Sequence, residues 1–359
     1  MWRDGEIDVY VLKQLVVCAQ LCATVAWAGP FSDEVTGLSP TAVVVKAWIS
    51  ACEYFPPADG SGGYARNQGG FATSSTAAVI GAPAGFGLND TTRHVASLGN
   101  GGAMLLSFPV AIHNGPGPDF AVFENGFTDY TDFTGTSREG LTNSYAFVEL
   151  AFVDVGTTTS AWARFPVTYL GTNAVFAPEG AGGGDQENFF SQDSTLIDGL
   201  AGKHIIGFGT PFDLSALTNH PQVLAGAVDL SNIRHVRLVD VVGNGSTLDD
   251  SGRPILDPFY DANTGYPQQA AITWTDGFDL RAVAVLNTAE AEIVPQSNGL
   301  EIRWFAADKT LYQVEIADSA GGAWSPLGGI VTGAQAIASI TDAAPASARS
   351  YRITRWRAP

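Results

Sequence analysis

Three observations predict an all-β chain. Gly and Pro are frequent, 41 and 19 among 359 residues, and they fall between short apolar runs instead of forming a block. They punctuate many brief elements. Charged residues make up only 15% of the chain against 45% hydrophobic ones, enough to build a core. No long stretch carries apolar residues at helical spacing.

At the N-terminus, Lys13 precedes an apolar run of signal-peptide length that closes on Ala26-Trp27-Ala28, an A-x-A cleavage pattern. The run is too short to span a membrane. Residues 1–28 are therefore expected to be a signal peptide cut after Ala28, which implies a secreted or cell-surface protein with no membrane anchor in the mature chain. Asp4, Glu6 and Asp8 are acidic where such a signal carries cations, and this places the natural start near Val9 or Val11. A buried hydrophobic helix is the competing reading. Val17 and Leu21 stand before Cys18 and Cys22, where lipidation needs a small residue. Cys52 is then alone in the mature chain, excluding an intrachain disulfide framework, and is expected to act as a small buried hydrophobe.

Residues 41–52 read as a strand, because three consecutive valines outweigh the helix-opening Ser39-Pro40. Strands then follow at 103–108, 120–123, 146–155, 163–170, 204–208, 233–242, 271–274 and 280–286. The stretch 146–155 is apolar on both parities and predicts a strand buried on both faces. Polar loops at 177–198 and 243–269 are long enough to be functional or metal-stapled. Residues 29–287 are thus expected to form a jelly-roll-type β-sandwich. Beyond 287 the composition shifts, and six evenly spaced strands over 291–359 predict a small fibronectin type III-like sandwich.

The net charge of −18 sits almost entirely in residues 29–290, with 10 Lys/Arg against 27 Asp/Glu. Such a surface repels nucleic acid and anionic membranes and attracts cations. Between 240 and 279 lie seven Asp and one cation, Arg253. Carboxylates at that density repel one another unless solvated or neutralised, and Ca²⁺ accepts six to eight oxygens in a flexible loop. Asp240, Asp257, Asp261 and Asp279 are the expected ligands, and a solvated acidic loop is the alternative. Asp261-Ala-Asn263 begins as an EF-hand loop does, but Tyr266 and Ile272 replace the Gly and the closing Glu, which rejects that motif.

The segment Gly115-Pro-Gly-Pro-Asp-Phe-Ala-Val-Phe-Glu-Asn-Gly-Phe127 brackets a short apolar strand with Asp119, Glu124 and Asn125. Turn residues and buried aromatics are expected to set these oxygens on a rigid rim, suited to Ca²⁺ or a polyhydroxylated ligand. Asp119 and Glu124 could also be a glycosidase pair, although five residues of strand turn them to opposite faces. Loop aromatics Tyr130, Phe133, Phe259, Tyr260 and Tyr266 are candidates for stacking on sugar rings, with Asn125 as a polar contact. Ser-hydrolase, zinc-protease and phosphate-loop motifs are missing.

Several strings, among them Ser97-Leu-Gly-Asn-Gly-Gly102, Gly115-Pro-Gly-Pro-Asp-Phe120, Gly199-Leu-Ala-Gly-Lys203 and Gly277-Phe-Asp-Leu-Arg-Ala-Val283, occur in the order seen in a domain of bacterial exported and cell-surface proteins. Residues 30–287 resemble that domain, which often accompanies PKD repeats or PEP-CTERM tails. The tail is similar to C-terminal β domains of verrucomicrobial and planctomycete exported proteins. The likeness implies export and a β-sandwich. Arg281 stands where the family motif has Asp; if that Asp is a ligand in the family, one ligand is missing here. Together these expectations describe a calcium-stabilised extracellular binding or adhesion protein for a glycan or cell-envelope component. The rival is a glycan-acting hydrolase or lyase using Asp119 and Glu124.

Overall fold

The computed structural model describes residues 6–9, 37–39, 44–57, 64–67, 70–73, 79–83, 95–126, 145–146, 149–171, 175–176, 190–204, 207–256, 277–318, 322–345 and 349–357. It is mostly antiparallel β-sheet and divides into two compact units. One is Trp27–Asn287; the other joins Met1–Ala26 to Thr288–Pro359.

Two antiparallel sheets dominate the larger unit. In the first, the strands run Ala163–Arg164, Ala151–Gly156, Ile233–Asp240, Ala103–Ile112 and Ala51–Phe55, with Leu200–Ala201 pairing beside Ala151–Gly156. In the second they run Gly209–Phe212, Phe120–Phe123, Ala282–Val285 and Ala47–Trp48. Ala103–Ile112 alternates half-buried and buried positions because Met104, Leu106, Phe108 and Val110 recur at period two. Phe120–Phe123 and Ala282–Val285 are buried throughout, since Leu38, Val44, Val45 and Trp48 cover the face bearing Ala121, Phe123, Ala282 and Ala284.

The opposite face meets the first sheet. There Phe120 stacks on Phe212 at 5.2 Å, and Phe165 stands edge-on to both, at 5.8 and 4.9 Å. Such ring pairs contribute about 0.5–1.5 kcal/mol each beyond their buried area.

All six residues of Ala151–Gly156 are buried, as expected of a strand covered on both faces. Leu150 and Phe152 pack under Val167, Tyr169, Ile197, Leu200 and Ile255. The run is not wholly apolar: Asp154 faces Arg164 and Arg237 on its two flanking strands and meets each at 2.7 Å. Cross-strand pairing is what makes this buried charge tolerable.

Three expectations need correction. Among the described residues of 204–208 none is in a strand: His204 lies in a bend, and Gly207 adopts φ 88, outside the extended region. The strand begins at Gly209. Nor is 243–269 a plain loop, because Asn244–Leu248 pairs with Pro254–Leu256 as a hairpin. Pro166 likewise divides 163–170 into Ala163–Arg164 and Thr168–Tyr169. The strand expected at 271–274 lies outside the described residues.

In the second unit all six expected strands form, at Ala291–Gln296, Gly299–Ala306, Thr310–Ala317, Ser325–Thr332, Ala336–Asp342 and Ser350–Arg357. They make a three-stranded and a four-stranded antiparallel sheet; the fourth member of the latter is Glu6–Val9, paired with Ser350–Arg357. Ile302, Trp304, Tyr312, Val314, Tyr351 and Ile353 fill one core between them. Among the described residues, no helix is long and apolar enough to cross a membrane.

Candidate functional site

The carboxylates singled out by sequence divide between the two ends of one strand. Asp119 enters Phe120–Phe123 and is fully buried. Its oxygens accept the N–H of Gly115 and of Leu214, each at 2.8 Å, and the side-chain amide of Asn287 at 2.9 Å. Burial pushes its carboxyl up to about 6, against the three donors and with a push from Asp213. Asp119 thus staples three loops together.

Glu124 leaves the same strand at the far end, roughly 16 Å away at 3.3 Å per residue. It too is buried, and one oxygen accepts the N–H of Gly126. A separation of that size exceeds the carboxyl spacing of either a retaining or an inverting glycosidase. The pair does not flank one glycosidic bond.

Around Glu124 the structure gathers a different set. Arg281, next to Ala282 and its partner Phe123, donates its backbone N–H to Phe123. Phe278, one residue before Asp279, donates to Asp240 at 2.7 Å, and Gly101 donates to the other Asp240 oxygen at 2.8 Å. Gly277 holds φ 81, and a Cβ there would stand 2.6 Å from the Asp240 carboxylate. Only glycine fits. Asp240 in turn pairs with Ala151 and Ala151 with Ala201, which brings Glu149, Lys203 and His204 to the same end of the sheets.

Glu124, Glu149, Asp240, Asp279, Lys203, His204 and Arg281 are all buried. The core of the larger unit is apolar in the middle and charged at this end. None of Glu124, Glu149, Lys203, His204, Asp279 and Arg281 is without a partner. Lys203 donates to the carbonyl of Ile197 at 2.9 Å; burial pulls its pKa down to about 8, while Asp198 and Asp193 oppose that pull.

Asn125 differs. Its side-chain oxygen is buried and has no hydrogen-bond partner among the described residues, and the Thr210 hydroxyl shares that condition. Thr210 pairs with Val122 on the neighbouring strand. A buried acceptor without a donor is costly, and a ligand group can supply one.

Asp257, Asp261, Tyr130, Phe133, Phe259, Tyr260 and Tyr266 lie outside the described residues. Their segments are anchored at this end, since 127–144 follows Gly126 and 257–276 runs from Leu256, paired with Asn244, to Gly277. Among the described residues no group of three or more His, Cys, Asp or Glu could hold a metal ion. A cation here would need donors from outside the described residues.

Sequence reasoning did not anticipate that acidic loop residues serve as backbone staples. Asp249 receives the N–H groups of Tyr169, Ser251 and Arg253, and Asp250 that of Val167. Burial alone would raise the Asp249 carboxyl; the three N–H groups and the Arg253 guanidinium hold it below the usual range. The string Asp249-Asp-Ser-Gly carried that signal as an Asx-type turn. Cys52 is half-buried, and burial pushes its thiol up to about 12, which leaves no reactive thiolate. No family model matches the chain, and no curated protein does.

Proposed function

We propose that the protein is a secreted or cell-surface binding or adhesion protein, stabilised by Ca²⁺, that takes an extracellular glycan or cell-envelope component at the charged end of its larger sandwich. The unpartnered buried oxygen of Asn125, beside Glu124, carries this reading. It is an acceptor just before the segment 127–144 that holds Tyr130, and Phe259, Tyr260 and Tyr266 follow Leu256; these are residue types that stack on sugars. Calcium is supported by the seven aspartates between 240 and 279 and by the burial of Asp240 and Asp279 at this end; the segment that holds Asp257 and Asp261 lies between Leu256 and Gly277 in the chain. The ion would supply charge neutralisation and loop rigidity.

Finer fold assignments belong to the same proposal. The chain crosses repeatedly between facing antiparallel sheets, which supports a jelly-roll type. In the smaller unit the strand orders and the Tyr351 hydroxyl, donating at 2.7 Å to Asp342 at the end of the preceding strand, support a fibronectin type III-like sandwich. The test is a glycan array probed with the protein and with Asn125→Ala and Tyr260→Ala variants. Calcium-dependent binding lost in both variants supports the proposal. Binding that both variants retain, or no binding to any glycan or envelope extract, contradicts it.

A further inference from the structure

We propose that Ala336–Asp342 is a dimerisation edge. A second copy of the chain adds its own Ala336–Asp342 antiparallel to it, joining two three-stranded sheets into one of six strands. The inference does not rest on the glycan reading.

An edge strand is a template for pairing unless a charge, a proline or a bulge guards it. Three of the four margins of the two sheets carry such guards. Ala291–Gln296 has Glu292 and Pro295, and the Ser350–Arg357 margin has three arginines and is covered by Glu6–Val9. Ser325–Thr332 has Pro326, and its register shifts where Gly328 holds φ 70. Ala336–Asp342 has none of these. Its one charge, Asp342, is buried and committed to Tyr351 and Arg349. Among the described residues it pairs with Gly299–Ala306 on one side and with no strand on the other.

Charge and register favour a second copy as the occupant. The chain carries a net −18, yet all twelve Asp, Glu, Lys and Arg residues of 291–359 fall outside 319–341. Two copies can therefore meet along this edge without like charges facing each other. Ser339 is the midpoint of the strand, so a two-fold axis there pairs all seven residues. Ala338 of one copy then meets Ile340 of the other. Ala338 stands opposite Trp304 and Ile340 opposite Ile302 in their own sheet, so the row Trp304, Ala338, Ile340, Ile302 runs unbroken across both copies. Trp304 and Ile302 are buried in their core, and Ala338 and Ile340 pack against it. On the other face Ile337 meets Thr341, and Ser339 meets its own equivalent. A slip of one residue would turn the core row of the second copy to the solvent side.

Both copies use the same strand, so the assembly closes at two. A seven-residue strand pair is a small interface, and the dimer is expected to be weak.

Sedimentation of the full chain over a concentration series tests this. The chain should pass from monomer to dimer and stop there. Ser339→Lys sets two cations against each other at the axis and should weaken the dimer about tenfold or more. Ser339 is exposed and its hydroxyl bonds Glu301, so a lysine there faces a carboxylate of its own sheet. Ser325→Lys, on the neighbouring strand, should leave association unchanged. Ser339→Cys sets two thiols across the axis. A short thiol cross-linker should join two chains through it, beyond the level of the unsubstituted chain, and should not do so through Ser325→Cys.

A monomer throughout the soluble range, a dimer that Ser339→Lys leaves as tight, species larger than a dimer, or no cross-link at Ser339→Cys would overturn the proposal. Should the lysine unfold the smaller unit, the cross-link decides.

Discussion

The side-chain amide of Asn287 donates to the carboxylate of Asp119 at 2.9 Å, and the backbone carbonyl of Asp119 receives the N–H groups of Leu286 and Asn287. One residue thereby ties the last residue of the larger unit to the start of its Phe120–Phe123 strand. Replacing Asp119 by Ala leaves the N–H groups of Gly115 and Leu214 without their acceptor inside the fold. The expected loss is about 3 kcal/mol, against about 1 kcal/mol for Asn287→Ala. Urea unfolding of the two variants checks the order; an Asn287 effect as large as that of Asp119 would contradict the staple.

Tyr351 and Asp342 make the corresponding contact in the smaller unit. Burial alone would raise the Asp342 carboxyl, but the Tyr351 hydroxyl, Arg349 and the Ala344 N–H hold it below the usual range. A depressed folded pKa contributes stability above the ordinary carboxylate range that is lost as pH falls through the folded value. The smaller unit should therefore weaken on acidification below about pH 4. Tyr351→Phe should lower its stability by about 1 kcal/mol and flatten that acid dependence. Chemical denaturation from pH 2 to 7 gives both numbers.

Lys203 acts at the alkaline side. Its folded pKa, about 8, lies below its ordinary 10.5. Between those values the unfolded chain holds more protons, so stability of the larger unit should rise with pH, by about 3 kcal/mol in all. Lys203→Met should abolish the rise. Unfolding curves at pH 7.5, 9 and 10.5 test it, and an unchanged slope in the variant would assign the rise elsewhere.

Sequence and structure agree most closely over 291–357, because strands with one buried face write their alternation directly into the chain, as in Leu300-Glu-Ile-Arg-Trp-Phe305. The larger unit was harder to read. Its inner strands are buried on both faces, so Ala282–Val285 and Phe120–Phe123 show apolar runs without phase. The site was legible in residue type but not in grouping. Glu124 joins Asp240 and Asp279, while Asp119 stands apart, because a strand carries neighbours in sequence to opposite ends of a sandwich. Whether a carboxylate meets a metal or a backbone N–H depends on loops brought from 38 to 139 residues away, as at Asp240. No local pattern encodes that.

Thermal melting of the larger unit in chelator, in calcium and in magnesium tests the central claim most directly. Calcium at 100 times its dissociation constant should stabilise the fold by about 2.7 kcal/mol, because the ion binds only the folded state. The predicted result is a rise in melting temperature with calcium, absent in chelator, smaller in magnesium, and lost in Asp257→Asn/Asp261→Asn. Identical melting in all three conditions would contradict the account and leave the acidic segment as a solvated loop.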